Sequence, residues 1–248
     1  MRGFVTAVRT LTILPCPGKD TEDFAAALPY FPIVGALIGG LVAFTIWPLA
    51  RIGWWDGAGV AGTIAAAWLT RGLHLDGLAD TVDALGGGRT LEKRLAIMKD
   101  PHTGAFGVLA IASVMLLKVV ALARLAAAPC CGPLVAAPFI AARTAQVALA
   151  VLLPYARPEG GTAKGFVQNA KPAHLVVAAL LSAALSFAVG RYWGLLTLAA
   201  ALLMALLLAA WLRKTFGGVT GDLLGMASEV TETVLLVALA WVIGLEVE

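Results

Sequence analysis

Charged side chains are scarce in this sequence. Lys, Arg, Asp and Glu make up 13% of the 248 residues, while 60% of the chain is hydrophobic. Soluble domains carry about twice that share of charge, and a soluble chain of this length could not bury so much apolar surface. Lipid can act as the solvent for such a surface. The composition therefore excludes an ordinary soluble protein and predicts a single membrane domain over 1–248.

Cysteine is also rare, and no large excess of either charge is present. Cys130 and Cys131, two of the three cysteines, are adjacent, a spacing that suits neither a disulfide nor a zinc site. The formal net charge of +3 is too small to indicate nucleic-acid binding, so we expect no nucleic-acid partner. Pro15 and Pro17 interrupt the first apolar run, which predicts a half-buried or interfacial segment there.

Long apolar windows are what the sequence has in abundance. About 20 apolar residues cross a bilayer as a helix, and seven windows approach or reach that length: 30–50, 57–73, 104–124, 133–153, 173–190, 193–212 and 223–245. Proline and glycine residues are frequent between these windows, where they favour turns. The small residues at 35–40 predict close helix packing. We therefore predict an all-α fold, a polytopic transmembrane helical bundle of about seven spans.

Basic residues are concentrated in alternate loops. With the N-terminus in the cytoplasm, the loops 74–103, 154–172 and 213–222 are cytoplasmic, and they hold nine Lys and Arg residues. The opposite loops hold little beyond Arg51, Arg124 and Arg191. Because Lys and Arg favour cytoplasmic loops, this bias predicts an orientation in which those three loops share the cytoplasmic side. With seven spans, the C-terminus would be external.

Acidic residues collect at that predicted cytoplasmic side. Asp76, Asp80 and Asp83 lie at i, i+4 and i+7, on one side of a helix. Like charges on one stripe repel, and a divalent cation would compensate them. Mg²⁺ takes carboxylates together with substrate phosphates. The alternative is a solvated acidic face, but ionisable residues at a membrane edge favour the metal site.

A second acidic group follows a glycine-rich turn near the end of the chain. Asp222 and Glu229 are seven residues apart, and Glu232 is one turn further. The predicted topology puts this group on the same side as the first, so two carboxylate-bearing helices could meet around one or two metal ions. The glycines at 217–221 permit close backbone approach and positive-φ turns suited to a phosphate.

Five further residues are open to more than one interpretation. Asp100 is either a metal ligand or general base, or it starts a turn. The proline that follows it is typical of a turn start. His74 and His102 could contact phosphate or be plain interfacial histidines. Lys118 and Arg143 fall within predicted spans, where a charge costs roughly a few kcal/mol. They pair with the acids or bind an anionic or amide-rich ligand, and Lys118 could instead snorkel.

Several stretches of the sequence carry a resemblance to a known family. They are FPIVG at 31–35, HLDGLADTVD at 74–83, IMKDP at 97–101, GAFG at 104–107 and GGVTGD at 217–222. In this order, over almost the whole chain, they resemble the cobalamin 5′-phosphate synthase family, and Glu232 resembles the acid that follows the last motif. The HLDGLADT run is the most specific. His102 and Thr103 depart from the family, which more often has a basic and an aliphatic residue there.

The resemblance implies a magnesium-dependent, multi-pass inner-membrane transferase of cobalamin biosynthesis. Such an enzyme joins adenosylcobinamide-GDP to α-ribazole, or to its 5′-phosphate, and releases GMP at the cytoplasmic face. Our candidate Mg²⁺ ligands for this reaction are Asp76, Asp80, Asp83, Asp222 and Glu232. The candidates for proton transfer are Asp76, Asp80, Asp83 and Asp100. The candidates for substrate binding are His74, Arg94, Lys99, Arg143, Thr220 and Gly221.

Two other functions compete with this interpretation. A CDP-alcohol phosphotransferase would have Ala-Arg after its first acidic pair, whereas Ala79 is followed by Asp80. A transporter or ion channel would carry its acids deep in the spans, whereas nearly all acids here lie at the ends. The expected partners are the two substrates and the lipid bilayer, and a homo-oligomer is left open.

Overall fold

The computed structural model describes residues 1–128, 132–157 and 159–247, so Cys130 and Cys131 lie outside the described residues. Over those ranges the chain forms α-helices and two short 3₁₀ helices, and no β-strand occurs there. This confirms the all-α prediction. The α-helices are α1 (Arg2–Leu11), α2 (Phe31–Arg51), α3 (Trp55–Leu69), α4 (Leu73–Gly87), α5 (Leu91–Ile97), α6 (Ala105–Ala127), α7 (Ala136–Leu152), α8 (Lys164–Gln168), α9 (Pro172–Phe216) and α10 (Gly221–Val247).

Five helical segments are long and apolar enough to cross a bilayer. They are Phe24–Arg51, Ala105–Ala127, Pro133–Leu152, Pro172–Phe216 and Gly221–Ile243. A helix satisfies its own backbone hydrogen bonds, which is what a segment needs in hydrocarbon. The protein is therefore a multi-pass membrane protein.

The predicted count of about seven spans depends on α3 and α9. In α9 the helix is broken at Arg191, which has φ 48° and ψ −125°. A Cβ on Gly194 would collide with the carbonyl oxygen of Ser186, although residues eight apart in one straight helix lie about 12 Å apart. The chain thus folds back within α9, where two windows were predicted. Because α3 has only 15 residues, the count of seven stays a prediction.

The N-terminal helix α1 is too short to cross a bilayer. Its ten residues extend about 15 Å. Val5, Val8 and Leu11 are buried, whereas Arg2 and Arg9 are exposed. This agrees with the expectation of a half-buried segment.

Helix α7 is the centre of the bundle. All its residues from Ala136 to Ala150 are buried, and it packs against α2, α9 and α10. Small residues make this packing possible, because a Cβ on Gly35 of α2 would lie 2.9 Å from Cα of Ile140, and one on Gly39 would lie 2.6 Å from Cα of Ala136. The small residues at 35–40 therefore serve helix packing, as predicted.

A buried ion-pair cluster joins α6, α7 and α10. Lys118 Nζ pairs with Glu229 and lies 2.6 Å from Glu232 Oε1. Arg143 Nη1 lies 3.1 Å from Glu232 Oε2 and donates to Ser228 Oγ at 2.6 Å. All four charged side chains are at most 6% exposed. Pairing with the acids is thus what occurs, and the snorkelling alternative for Lys118 is wrong.

Replacing Glu232 by Gln is expected to destabilise the bundle. Lys118 and Arg143 would then have only the Glu229 carboxylate between them. Removing one partner of a buried ion pair typically costs about 3–5 kcal/mol, because a charge is left uncompensated. The measurement is thermal unfolding of the purified protein in detergent.

Glu22→Gln is the matched control, because Glu22 is exposed, and its unfolding temperature should equal that of wild type. A Lys118→Met/Glu232→Gln double variant should regain part of the loss, since Arg143 and Glu229 remain as one cation and one anion. Wild-type stability of Glu232→Gln would show that the cluster does not hold these helices together.

Candidate active site

A tight left-handed turn directs α4 away from the end of α3. Arg71 and Gly72 have φ values of 55° and 67°, and the Gly72 amide donates to the Ala67 carbonyl at 2.8 Å. Such a conformation is unusual for arginine. The turn starts α4 at Leu73, and α4 packs against α6 and α10.

Helices α4 and α10 meet so closely that the two acidic groups become neighbours. A Cβ on Gly77 would lie 2.5 Å from the Asp222 carbonyl oxygen and 2.9 Å from its Cα. Any larger residue at position 77 would push the helices apart. The contact brings the backbone of Asp222 next to the α4 segment between Asp76 and Asp80, as the predicted meeting of two carboxylate-bearing helices requires.

Burial and electrostatic repulsion both act on the Asp80 carboxyl. Burial raises the pKa of its carboxyl from the ordinary 3.8 to about 7, and the charges of Asp76, Asp222 and Asp83 add to the rise while Arg157 opposes it. A carboxyl in this setting gains from a nearby cation. Asp76, Asp80 and Asp222 therefore form the acid cluster.

Arg157 is the cation that faces this cluster. Its Nη2 donates to Asp222 Oδ2 at 2.8 Å, and the side chain is 12% exposed. A short backbone pairing holds its loop in place, since Ala156 N donates to Val219 O at 2.8 Å and Val219 N to Pro154 O at 2.9 Å. The glycine-rich turn before α10 thus anchors the loop that carries the arginine.

Gly221 is the first residue of α10, beside the cluster, and Thr220 directly precedes it. Thr220 Oγ1 accepts from the Leu223 amide at 3.2 Å and donates to Asp222 Oδ2 at 3.4 Å. Gly221 and Asp222 both line the cleft described below. These residues stay predicted substrate contacts.

Asp83 has different partners from Asp76 and Asp80, although all three lie on one side of α4. Its carboxylate accepts from the backbone amides of Gly104 at 2.7 Å and Gly107 at 2.9 Å. It therefore caps the N-terminus of α6 from outside that helix, where a negative charge is favourable. The capping explains its position without a metal ion.

Arg94 lies in the short helix α5, and Lys99 and Asp100 follow that helix. All three make local contacts. The exposed Asp100 carboxylate accepts from the His102 amide at 3.0 Å and lies 2.6 Å from His102 Nδ1. These contacts agree with the alternative in which Asp100 starts a turn. Lys99 pairs with Glu159. Arg94 donates to the carbonyls of Gly88 and of Thr215, at the end of α9. The contacts of these three predicted residues do not include the acid cluster.

The acids do not form a complete metal site by themselves. In the described part of the chain, no three His, Cys, Asp or Glu side chains are close enough to hold an ion. Glu232 has both oxygens engaged by Lys118 and Arg143, so its contacts give it a role inside the bundle. The donors still fit Mg²⁺, which usually takes only one or two carboxylates and completes its shell with water and substrate phosphates.

A largely apolar cleft opens beside the acid cluster. Its volume is about 320 Å³, and Asp76, Asp222, His74 and Gln146 are among its lining residues. His74 is 1% exposed. Burial lowers the pKa of its ring, and the charges of Arg143 and Lys118 lower it further. The ring is therefore neutral, with one donor and one acceptor nitrogen.

Comparison with known proteins decides which family this architecture belongs to. A family model described as cobalamin-5-phosphate synthase matches residues 3–240. The chain belongs to this family. The resemblance found in the motifs is thereby confirmed for the cobalamin-5-phosphate synthases.

Individual relatives agree with the cobalamin-5-phosphate synthase model. A protein of Chlorobaculum tepidum is 46% identical over 99% of this chain and 98% of its own length, and one of Chlorobaculum parvum is 45% identical with the same coverage. A protein of Syntrophobacter fumaroxidans is 41% identical over 96% of this chain and 97% of its own. All three are named adenosylcobinamide-GDP ribazoletransferase. No solved structure matches the chain.

Two residues of this cobalamin-5-phosphate synthase site were not predicted from the sequence. In the sequence, Arg157 is one of the nine basic residues of the predicted cytoplasmic loops, and Gln146 lies within a predicted span. Arg157 has a usable signal, since it is a basic residue in a loop assigned to the same side as the acids. Gln146 is a rare amide in an apolar helix, and polar side chains within spans tend to face the protein interior.

Asp80 and Asp83 are expected to differ in their effect on stability. Asp80→Asn removes one of several like charges, so in the absence of divalent ions at pH 8 the unfolding temperature should stay constant or rise. Asp83→Ala removes the cap of α6 and should cost about 1–2 kcal/mol. Thermal unfolding in detergent measures both.

Mg²⁺ supplies a second readout for the same variants. It should raise the unfolding temperature of wild type and of Asp83→Ala, because a ligand stabilises the folded state that binds it, but not that of Asp80→Asn. Equal destabilisation by both substitutions would contradict the different roles assigned to the two aspartates.

Proposed function

We propose that this protein is an adenosylcobinamide-GDP ribazoletransferase. A ribose hydroxyl of α-ribazole, or of its 5′-phosphate, attacks the phosphorus attached to cobinamide. The new oxygen–phosphorus bond forms, the bond to the GMP phosphate breaks, and GMP leaves. One observation carries the proposal: in a chain 46% identical to a relative with this name, acids of two helices meet beside Arg157 at the end of an apolar bundle.

The diphosphate of the activated corrinoid suits the acid cluster. We assign the acid cluster of Asp76, Asp80 and Asp222 to an Mg²⁺ ion shared with the substrate. One or two of these carboxylates would bind the ion directly, and water and substrate phosphate would complete its shell. When bound, the ion neutralises the diphosphate and the charge that develops on the leaving phosphate. Burial and the neighbouring carboxylates together raise the pKa of Asp80. This supports the assignment, because a bound cation would compensate the negative charge there. Asp83 and Glu232 are already engaged by amides and by buried cations.

The carboxylate best situated to accept the hydroxyl proton is that of Asp76. It lines the cleft together with Asp222, so a substrate in the cleft has its hydroxyls within reach of a base. Asp100, the other predicted base, is exposed and bonded to His102.

Arg157 is assigned to the phosphates. A guanidinium can donate to two phosphate oxygens at once. Arg157 pairs with Asp222 and is largely buried, so its guanidinium is held next to the acid cluster. Lys99 and Arg94 have other partners.

We further propose an inner-membrane location with the site open to the cytoplasm. The loop that carries Arg157 and the start of α10 belong to the side on which Lys and Arg are concentrated, and such loops remain cytoplasmic. Nucleotide-activated substrates are also found on that side.

The direct test combines purified protein, adenosylcobinamide-GDP, α-ribazole and Mg²⁺. We expect release of GMP, detected by chromatography, and formation of the complete corrinoid, detected by mass. EDTA should stop both. Asp76→Asn and Asp80→Asn should lower turnover by about 1,000-fold, because charge stabilisation of the transferring phosphate is lost.

Each competing function gives a different result in this system. Absence of the corrinoid product with wild type overturns the proposal. Transfer to a lipid alcohol from a CDP-activated donor would favour the phosphotransferase, and cation flux into liposomes without transfer would favour the transporter. Near wild-type activity of Asp76→Asn and Asp80→Asn would exclude the assigned metal site.

Arg157→Gln is expected to reduce kcat/KM for adenosylcobinamide-GDP by about 100-fold, because one charged donor to the phosphates is lost. The KM for α-ribazole should not change. Arg89→Gln is the matched control, since Arg89 is an exposed cation in a loop on the same side. Full activity of Arg157→Gln together with tighter Mg²⁺ binding would contradict this role. Arg157 would then only compensate the charge of the acids in competition with Mg²⁺, without binding phosphate.

A further inference from the structure

The cleft beside the acid cluster extends well beyond the groups that handle phosphate. Its volume of about 320 Å³ lies within the range of small-molecule pockets, which are mostly apolar with a few fixed polar groups. Apolar side chains from five helical segments contribute to its wall: Leu11, Leu28, Phe31, Phe166 and Leu224. Two of these are aromatic, so the wall suits a flat, apolar ligand.

Two polar side chains in this cleft have hydrogen-bonding atoms left over. Among the described residues, neither ring nitrogen of His74 has a partner, and neither does Gln146 Oε1, although these atoms are fully buried. Gln146 Nε2 donates to the Leu224 carbonyl at 3.2 Å, which fixes the amide and leaves its oxygen free. Buried polar atoms without partners destabilise a protein, so these atoms indicate a ligand that completes their hydrogen bonds.

We propose that this cleft binds the base and ribose of the ribazole substrate. The assignment rests on the proposed function and names the subsite of one of its two substrates. The base of ribazole is a dimethylbenzimidazole, which is flat and apolar and has one free ring nitrogen that accepts a hydrogen bond. A ring N–H of His74 donates to that nitrogen, and Gln146 Oε1 accepts from a ribose hydroxyl. Another ribose hydroxyl then faces Asp76, which takes its proton.

The other parts of the reacting molecules fit the cleft less well. A corrin ring with its amide arms is several times larger than a benzimidazole nucleoside. Guanine carries several donors and acceptors around its edge, and the apolar wall would leave most of them unpaired. Size therefore excludes the corrinoid, and polarity disfavours the guanine of the GDP group.

Ala150→Phe tests the proposal by filling the cleft. Ala150 is 2% exposed and belongs to the cleft wall. We expect the KM for α-ribazole to rise by about 100-fold, because the phenyl ring occupies the space of the base. The KM for adenosylcobinamide-GDP should stay within about twofold of wild type. A change confined to the KM of one substrate indicates that the substitution affects the binding of that substrate alone. The matched control is Ala200→Phe, at a second apolar cavity lined by α9 and α10, and both constants should remain at wild-type values there.

Gln146→Leu provides a second variant in case the larger substitution disturbs folding. It keeps the approximate volume and removes the hydrogen bond to ribose, so the KM for α-ribazole should rise by about tenfold. Monodispersity in detergent and the unfolding temperature report on the fold of each variant.

Binding of α-ribazole without the corrinoid separates this proposal from the function on which it rests. Fluorescence of the benzimidazole should change on titration with wild type and with Ala200→Phe, and not with Ala150→Phe. If wild type binds α-ribazole in this way yet forms no corrinoid product, the function fails and the cleft assignment stands. If Ala150→Phe binds α-ribazole as wild type does, or loses affinity for adenosylcobinamide-GDP instead, the cleft assignment is overturned while the transferase function stands.

Discussion

The buried ion pairs among Lys118, Arg143, Glu229 and Glu232 determine where the last helix lies in the bundle. Two cations and two carboxylates cancel one another in an environment that penalises any unpaired charge. Because both acids belong to α10, the pairing fixes the rotation and depth of that helix. Asp222 lies seven residues before Glu229 on the same helix, about 10 Å along its axis. The ion pairs thus position the first turn of α10, where the chemistry is expected.

Close packing completes what the ion pairs begin. Gly77 lets α4 approach the backbone of Asp222, and Asp83 fixes the other end of α4 to the start of α6. Asp80 lies between these two anchors and cannot move away from the neighbouring charges. Burial in this rigid position raises its pKa to about 7, and repulsion by the neighbouring carboxylates adds to the rise. A cation that also binds a substrate phosphate would then find carboxylates that are already held in place.

Separate parts of the site would then serve different chemical groups. The acid cluster and Arg157 suit phosphates, whereas the adjoining cleft has an apolar wall with a few buried polar atoms. Their junction at Asp76 and Asp222 is where a nucleophilic hydroxyl and a phosphorus atom would meet. Holding both reactants in one geometry is a major source of rate enhancement in transfer reactions.

The sequence by itself determined the membrane class, the all-α fold and the family. Each helix in lipid must satisfy its own backbone, so hydropathy along the chain is enough to indicate a helical membrane protein. The spacing of Asp76, Asp80 and Asp83 is enough to put them on one helix side. Tertiary structure alone decided which partners the acids have. Glu232 pairs with Lys118 and Arg143, Asp83 caps α6, and Arg157 reaches Asp222. These contacts join residues far apart in sequence, and they depend on how each helix is rotated and how closely its neighbours approach, which no local pattern encodes.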